Sequence, residues 1–432
     1  MMRRTGSWLV LFLAAAAAWG QSSAISRAQR ALDRGDAEAA RPALAAAAAE
    51  SLFQLALAER GDARKSTLEQ ASALGGSGSW IATAARGVNL LDERKFAEAA
   101  QALQQAIAAN GADKRLRKLL GDALRGAEDA AGALAAYRAA TAIDPAYAAA
   151  LLGVGDLLRQ QGDFGGAFNA YNHAVDEQGQ PAAALIGRAT ASLYLGDSEK
   201  ALADLERAAS LQASEGDRSR ALMGIVFVRT YLRQLPQGLE RAEQAVALWQ
   251  QAGRADMAAS TANATARVLL ETGRADDADA WYSRGLQIVE ASAMKPEEKA
   301  IWRVRQLHGA ARVAAQRRDI RTAQGLADQA KAAMDADPAN AEHYRWIYPY
   351  LIGYIRWQDR KYSDALEQLN QSETERAYIA YLIADCYARL RDRAAARTWY
   401  ERALAASAGL DSESVIVRPL ASAWLAKNPA GS

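Results

Sequence analysis

One interval constrains this chain more than any other feature of it. Ala133, Ala167 and Ala201 lie 34 residues apart, as do Tyr137, Tyr171 and Leu205, and again Ala140, Ala174 and Ala208. Self-similarity at such a step marks a stacked array of helical units, each burying a face that it cannot bury alone. The clearest copy runs from Ala148 to Pro181. Leu151, Val154, Gly155 and Leu158 fall on its first helix, Gly162-Asp163 at the turn, and Ala167, Tyr171 and Ala174 on its second. Gly155 and Ala167 are expected to face each other where the helices cross closely, and Tyr171 to fill the space toward the next unit. Gly162 suits a tight interhelical turn and Asp163 can cap the second helix. Asp144-Pro145 ends the preceding copy.

The period and these residues resemble the tetratricopeptide repeat, a 34-residue helix–turn–helix unit. The frame continues upstream through Gly87, Leu90, Phe96, Ala99 and Leu103, and downstream through Ala266, Leu269, Gly273, Ala278 and Tyr282. Lys295-Pro296-Glu297 starts a later helix, and Tyr362, Ala365 and Leu369, then Asp392, Ala396, Tyr400 and Ala403, give the last copies. Gly35-Asp36 and Gly61-Asp62 mark a degenerate pair, separated from the regular array by the loop-like Gly75 to Ser79. The expected organisation is a leader over 1–20, degenerate repeats over 21–76, an array over 77–290, a C-terminal array over 291–408, and a capping helix with tail over 409–432. The fold that the resemblance implies is all-α, a superhelical solenoid of about ten or eleven repeats closed by a C-terminal capping helix.

The N-terminus reads as a signal peptide. Arg3 and Arg4 precede the apolar run Trp8 to Ala18, which is too short to span a bilayer comfortably, and Ala18-Trp19-Gly20 offers a cleavage site after Gly20. An uncleaved N-terminal anchor is the other reading. Cleavage leaves no transmembrane span and implies an exported chain, periplasmic or secreted. Lys plus Arg is 52 and Asp plus Glu is 50, so no strong basic field points to nucleic acid. The single cysteine, Cys386, can form no internal disulfide, and is expected to pack as a small apolar residue.

Little in the sequence speaks for catalysis. His173, His308 and His343 share no metal-ligand spacing, and no P-loop or nucleophile elbow is present. No catalytic, metal or cofactor residue is assigned, and the chain reads as a non-enzyme. Asn263-Ala264-Thr265 matches the glycosylation pattern in a helical setting that makes use improbable.

The resemblance implies that first helices line a groove. Projecting the family's groove positions gives Arg115, Lys118, Asp122 and Arg125 in one copy, and Leu152, Asp156 and Arg159 in the next. In the aromatic-rich C-terminal third it gives Tyr350, Tyr354, Trp357, Tyr378 and Tyr381, with Arg305, His308 and Arg312 nearby. These eight residues are the candidate partner-binding groove. Their rings suit peptide hot spots or stacking on polysaccharide, and equally suit packing between repeats. Pro349 shifts the projection unless it lies in a helix's first turn. The function expected is a protein–protein interaction scaffold of the cell envelope that binds peptide segments; the alternative is a structural subunit of a secretion or polysaccharide-export assembly.

Overall fold

The computed structural model describes residues 29–34, 36–177 and 181–429. The expected leader lies outside them. The chain divides into two compact units, one ending at Val154 and one beginning at Gly155. The first holds α1 (Ala37–Ala58), α2 (Gly61–Gly75), α3 (Trp80–Asp92), α4 (Phe96–Ala109), α5 (Lys114–Gly126) and α6 (Ala130–Ile143), and α7 (Ala148–Gln160) carries the boundary. The second continues with α8 (Phe164–Glu177), α9 (Ala182–Tyr194), α10 (Ser198–Ser210), α11 (Glu215–Tyr231), α12 (Leu239–Gln251), α13 (Ala255–Glu271), α14 (Ala275–Glu290) and α15 (Pro296–Gln316). It ends with α16 (Ile320–Asp335), the short α17 (Ala341–Tyr344), α18 (Ile347–Gln358), α19 (Tyr362–Leu369), α20 (Ala377–Arg389), α21 (Arg393–Ala406) and α22 (Ser414–Lys427). Among the described residues every regular element is a helix. Within each unit successive helices pack as neighbours joined by short turns, as a repeat array requires.

The turns show why the register holds. Asp129, Asp163 and Asp197, again 34 apart, accept the backbone N–H of Gly132, Gly166 and Lys200 at 2.8, 2.8 and 3.0 Å, capping α6, α8 and α10. Each such cap stabilises its helix by about 1 kcal/mol. The residue before each cap is left-handed: Glu128 at φ +64°, Gly162 at +81° and Gly196 at +95°. Arg94, Arg233, Arg318, Arg360 and Arg391 adopt the same conformation at other turns, at about 1–2 kcal/mol each for an L residue. Glycine is therefore not a necessary marker of these turns.

Close packing at the helix crossings uses glycine. A Cβ built on Gly155 would come 2.6 Å from the Tyr171 ring. On the other side, a Cβ on Gly187 would come 2.5 Å from the same ring. Tyr171 thus fills a slot between consecutive first helices, as expected, and it is two glycines that make the room. Tyr137 sits likewise between Gly121 and Gly153.

Pro349 lies in the first turn of α18, and α15 begins at Pro296. Cys386 is fully buried, and burial pushes its thiol up to about 12. Thr265, in the glycosylation triplet, is fully buried on α13 and donates to the Thr261 carbonyl at 2.9 Å. The degenerate N-terminal pair forms one hairpin, with Asp36 capping a single 22-residue α1. The C-terminal helix is more than an end cover: α22 packs on α20, α21 and also α11.

Candidate functional site

The eight C-terminal candidates converge, but into an interior. Arg312, Tyr350, Tyr354 and Tyr378 are buried, each at most 2% exposed; Arg305, His308, Trp357 and Tyr381 are half-buried. The Arg312 guanidinium pairs with the Glu271 carboxylate and lies 4.8 Å from the Tyr354 ring centroid and 5.7 Å from that of Tyr378. The Tyr378 hydroxyl donates to the other Glu271 oxygen. The His308 ring lies 5.4 Å from that of Tyr350. Trp357 donates from Nε1 to Asp385 at 2.7 Å, Tyr381 lies 5.9 Å from Tyr378, and Arg305 stacks on Trp302 at 4.6 Å.

Four of the eight residues thus lie in a polar, aromatic core, and the other four are half-buried at its margin. The reason is that α13 and the C-terminal segment close upon it. Glu271 comes from the last position of α13, and Arg267 from one turn earlier stacks on Tyr378 at 4.9 Å. The rings of Tyr350, Tyr354 and Tyr378, so placed, offer no face to a sugar. Burial, then the guanidiniums of Arg312, Arg267, Arg376 and Arg305, hold His308 well below the ordinary histidine range, so its imidazole stays neutral.

Sequence reasoning missed Arg267, Glu271 and Glu413. Arg267 and Glu271 are four apart on one helix, a visible pair with no sign of what it would meet. Glu413 accepts from Arg267 at 2.9 Å and from Arg376 at 2.8 Å. Burial opposes its ionisation, but the two guanidiniums outweigh this and bring its carboxyl down to about 2. Its folded value lies below the unfolded value of about 4.5, so its stabilising contribution is complete above that pH. It is lost as pH falls toward 2. We predict that the urea midpoint of the wild-type chain drops more steeply between pH 5 and 3 than that of Glu413→Gln. Parallel pH profiles would contradict the ion-pair assignment.

The first unit presents a different face. A cavity of about 600 Å³ is lined by Arg64, Arg115, Lys118, Asp122, Arg125 and Tyr147, with Leu57, Val88, Leu91, Phe96 and Leu119 as its apolar wall. All four residues projected from the first of the two upstream copies meet here, on α5. The other copy divides: Asp156 accepts from the Tyr171 hydroxyl at 2.7 Å, and Arg159 donates to the Ala408 carbonyl at 2.8 Å. The cavity's own charges are partly matched. Arg115 pairs with Asp113 at 2.6 Å and Glu50 at 3.4 Å, Arg64 with Asp92 at 2.7 Å, and Lys118 with Asp122 at 2.6 Å. Burial pushes the Tyr147 hydroxyl up to about 12, so it remains a neutral hydrogen-bonding group. The four basic side chains of the lining are balanced by Asp92 and Asp122 within it and by Asp113 and Glu50 beside it. No group of His, Cys, Asp and Glu that could hold a metal occurs among the described residues, and no helix there is long and apolar enough to cross a membrane.

The sequence pattern of the tetratricopeptide repeat matches residues 84–148, 119–184 and 350–411. Among solved structures, the chain is similar to the Pseudomonas aeruginosa pilF protein, at 19% identity and TM-score 0.38 over 52% of this chain and 92% of that one. A tetratricopeptide repeat protein from Parabacteroides merdae aligns at 17% identity and TM-score 0.35 over 72% and 98%. YrrB, described as a tetratricopeptide-repeat protein with an unusual peptide-binding site, aligns at 20% identity and TM-score 0.32 over 44% and 94%. No curated protein matches.

Proposed function

Since the chain belongs to the tetratricopeptide-repeat family, we propose that it is a non-enzymatic protein–protein interaction scaffold of the cell envelope, holding partner peptide segments in the cavity of its first unit. The observation that carries this reading is the cavity itself. It combines an apolar wall with convergent basic groups and one neutral tyrosine hydroxyl, the make-up of a site that fixes a segment by apolar burial and orients it by a few polar contacts. The lining favours a segment with apolar side chains and a few polar groups that can meet its paired charges. Arg3-Arg4, the apolar run after them and the Gly20 site support export.

The test uses the full-length chain and its Lys118→Ala, Arg125→Ala variant, each recovered with bound proteins from an envelope fraction. The Lys118–Asp122 pair is partly exposed and contributes little to folding, and Asp122 keeps the Tyr137 hydroxyl at 2.7 Å. Partner recovered with the variant should fall by about tenfold or more, with melting temperature unchanged, and the chain recovered should begin at Gln21. Equal recovery with both chains would remove the cavity from the function.

A further inference from the structure

The segment after α21 contacts residues of several successive first helices. Arg159 of α7 donates from Nη1 to the Ala408 carbonyl at 2.8 Å, and Tyr194 of α9 donates its hydroxyl to the Gly409 carbonyl at 2.5 Å. Leu410 lies over α11, where a Cβ on Gly224 would come 3.3 Å from its Cδ2. Glu413 is held by Arg267 of α13 and by Arg376, and it accepts the backbone N–H of Tyr378 of α20 at 3.3 Å. Arg418 then stacks on the rings of Phe164 and Tyr194 at 4.5 and 4.6 Å.

In a repeat array each unit ordinarily touches only its neighbours. These bonds instead join residues 249, 215 and 146 positions apart. Their chemistry is that of a receptor reading a bound peptide segment. Side-chain donors take main-chain carbonyls, a leucine lies over a glycine, and a carboxylate is held by two guanidiniums. A helix serving only as an end cover would need its apolar face alone. Here the polar anchors are concentrated in the irregular stretch that precedes the helix.

We propose that the face of the second unit built by its first helices is a peptide-binding site, occupied in this structure by the chain's own segment from Ala408 to Arg418. The segment is a latch in cis. It opens when it is exchanged for a peptide with the same pattern: a leucine, a carboxylate three residues on, and β-branched residues such as Val415, Ile416 and Val417 after it. This site is separate from the cavity of the first unit and stands whether or not that cavity binds a partner.

The experiment compares the wild-type chain with full-length Glu413→Lys, using a fluorescent synthetic peptide of residues 407–428 as probe. The variant's own segment carries the wrong charge between Arg267 and Arg376, so the added peptide should bind it at least tenfold more tightly than it binds the wild-type chain. A peptide carrying Glu413→Lys should bind neither. A folded variant that ignores the wild-type peptide overturns the proposal. A second measurement needs no variant: hydrogen exchange of the wild-type chain should show the amides of Ser414–Lys427 opening while those of Ile379–Ala384 stay protected. Simultaneous exchange of both sets makes the segment an inseparable part of the core and overturns the latch. Concentration-dependent dimers by light scattering, with the segment exchanged between copies, overturn the assignment in cis.

Discussion

Replacing Arg312 with alanine should destabilise the second unit by about 3–5 kcal/mol, read as a lower denaturant midpoint at unchanged slope. The magnitude follows from what is left behind. Glu271 is left without its guanidinium partner in an interior where its side chain is 9% exposed, with the Tyr378 hydroxyl still donating to it. The rings of Tyr350, Tyr354 and Tyr378 also lose the cation that lies within 5.8 Å of each centroid. The replacement Glu271→Gln, Arg312→Met removes both charges together, and should cost much less than Arg312→Ala alone, because no buried ion is left unpaired. A shift below about 0.5 kcal/mol, the size of a surface substitution, would mean that the guanidinium is hydrated and the face open after all.

Tyr171→Ala should cost a similar amount, about 3–5 kcal/mol, by emptying a slot that the neighbouring backbones cannot close. The ring is fully buried, and Gly155 and Gly187 offer no side-chain atoms to collapse into the space. Tyr171→Phe separates the two parts of the effect. It keeps the ring and removes the hydroxyl that donates to Asp156 at 2.7 Å, a bond to a charged group that contributes about 1.5–3 kcal/mol. Equilibrium unfolding of the three chains checks the order: wild type most stable, then Phe, then Ala. A phenylalanine variant as unstable as the alanine one would place the energy in the hydroxyl and not in the slot.

The two substitutions bear on different levels of the fold. The Tyr171 slot was legible in the sequence, because it is made by residues of adjacent repeats that recur with the array: Tyr137 and Tyr171, each flanked by its glycines. The Arg312 cluster was half legible. Projection brought Arg312, Tyr350, Tyr354 and Tyr378 to one side of their helices, and they do converge. What covers them could not be read, because Glu271 belongs to another repeat and Glu413 to a segment that carries no repeat signal. Arg115, Lys118, Asp122 and Arg125, projected to one side of their helix, line one cavity in the first unit.

The sequence alone determined the helical repeat, its 34-residue step, the positions of its caps and the small residues at its crossings. These follow from contacts between near neighbours in the chain, where distance in sequence fixes distance in space. Only the tertiary structure decided which first-helix face stays open and which becomes core. That outcome rests on ion pairs and hydrogen bonds between residues 146 to 249 positions apart, and no local period encodes them.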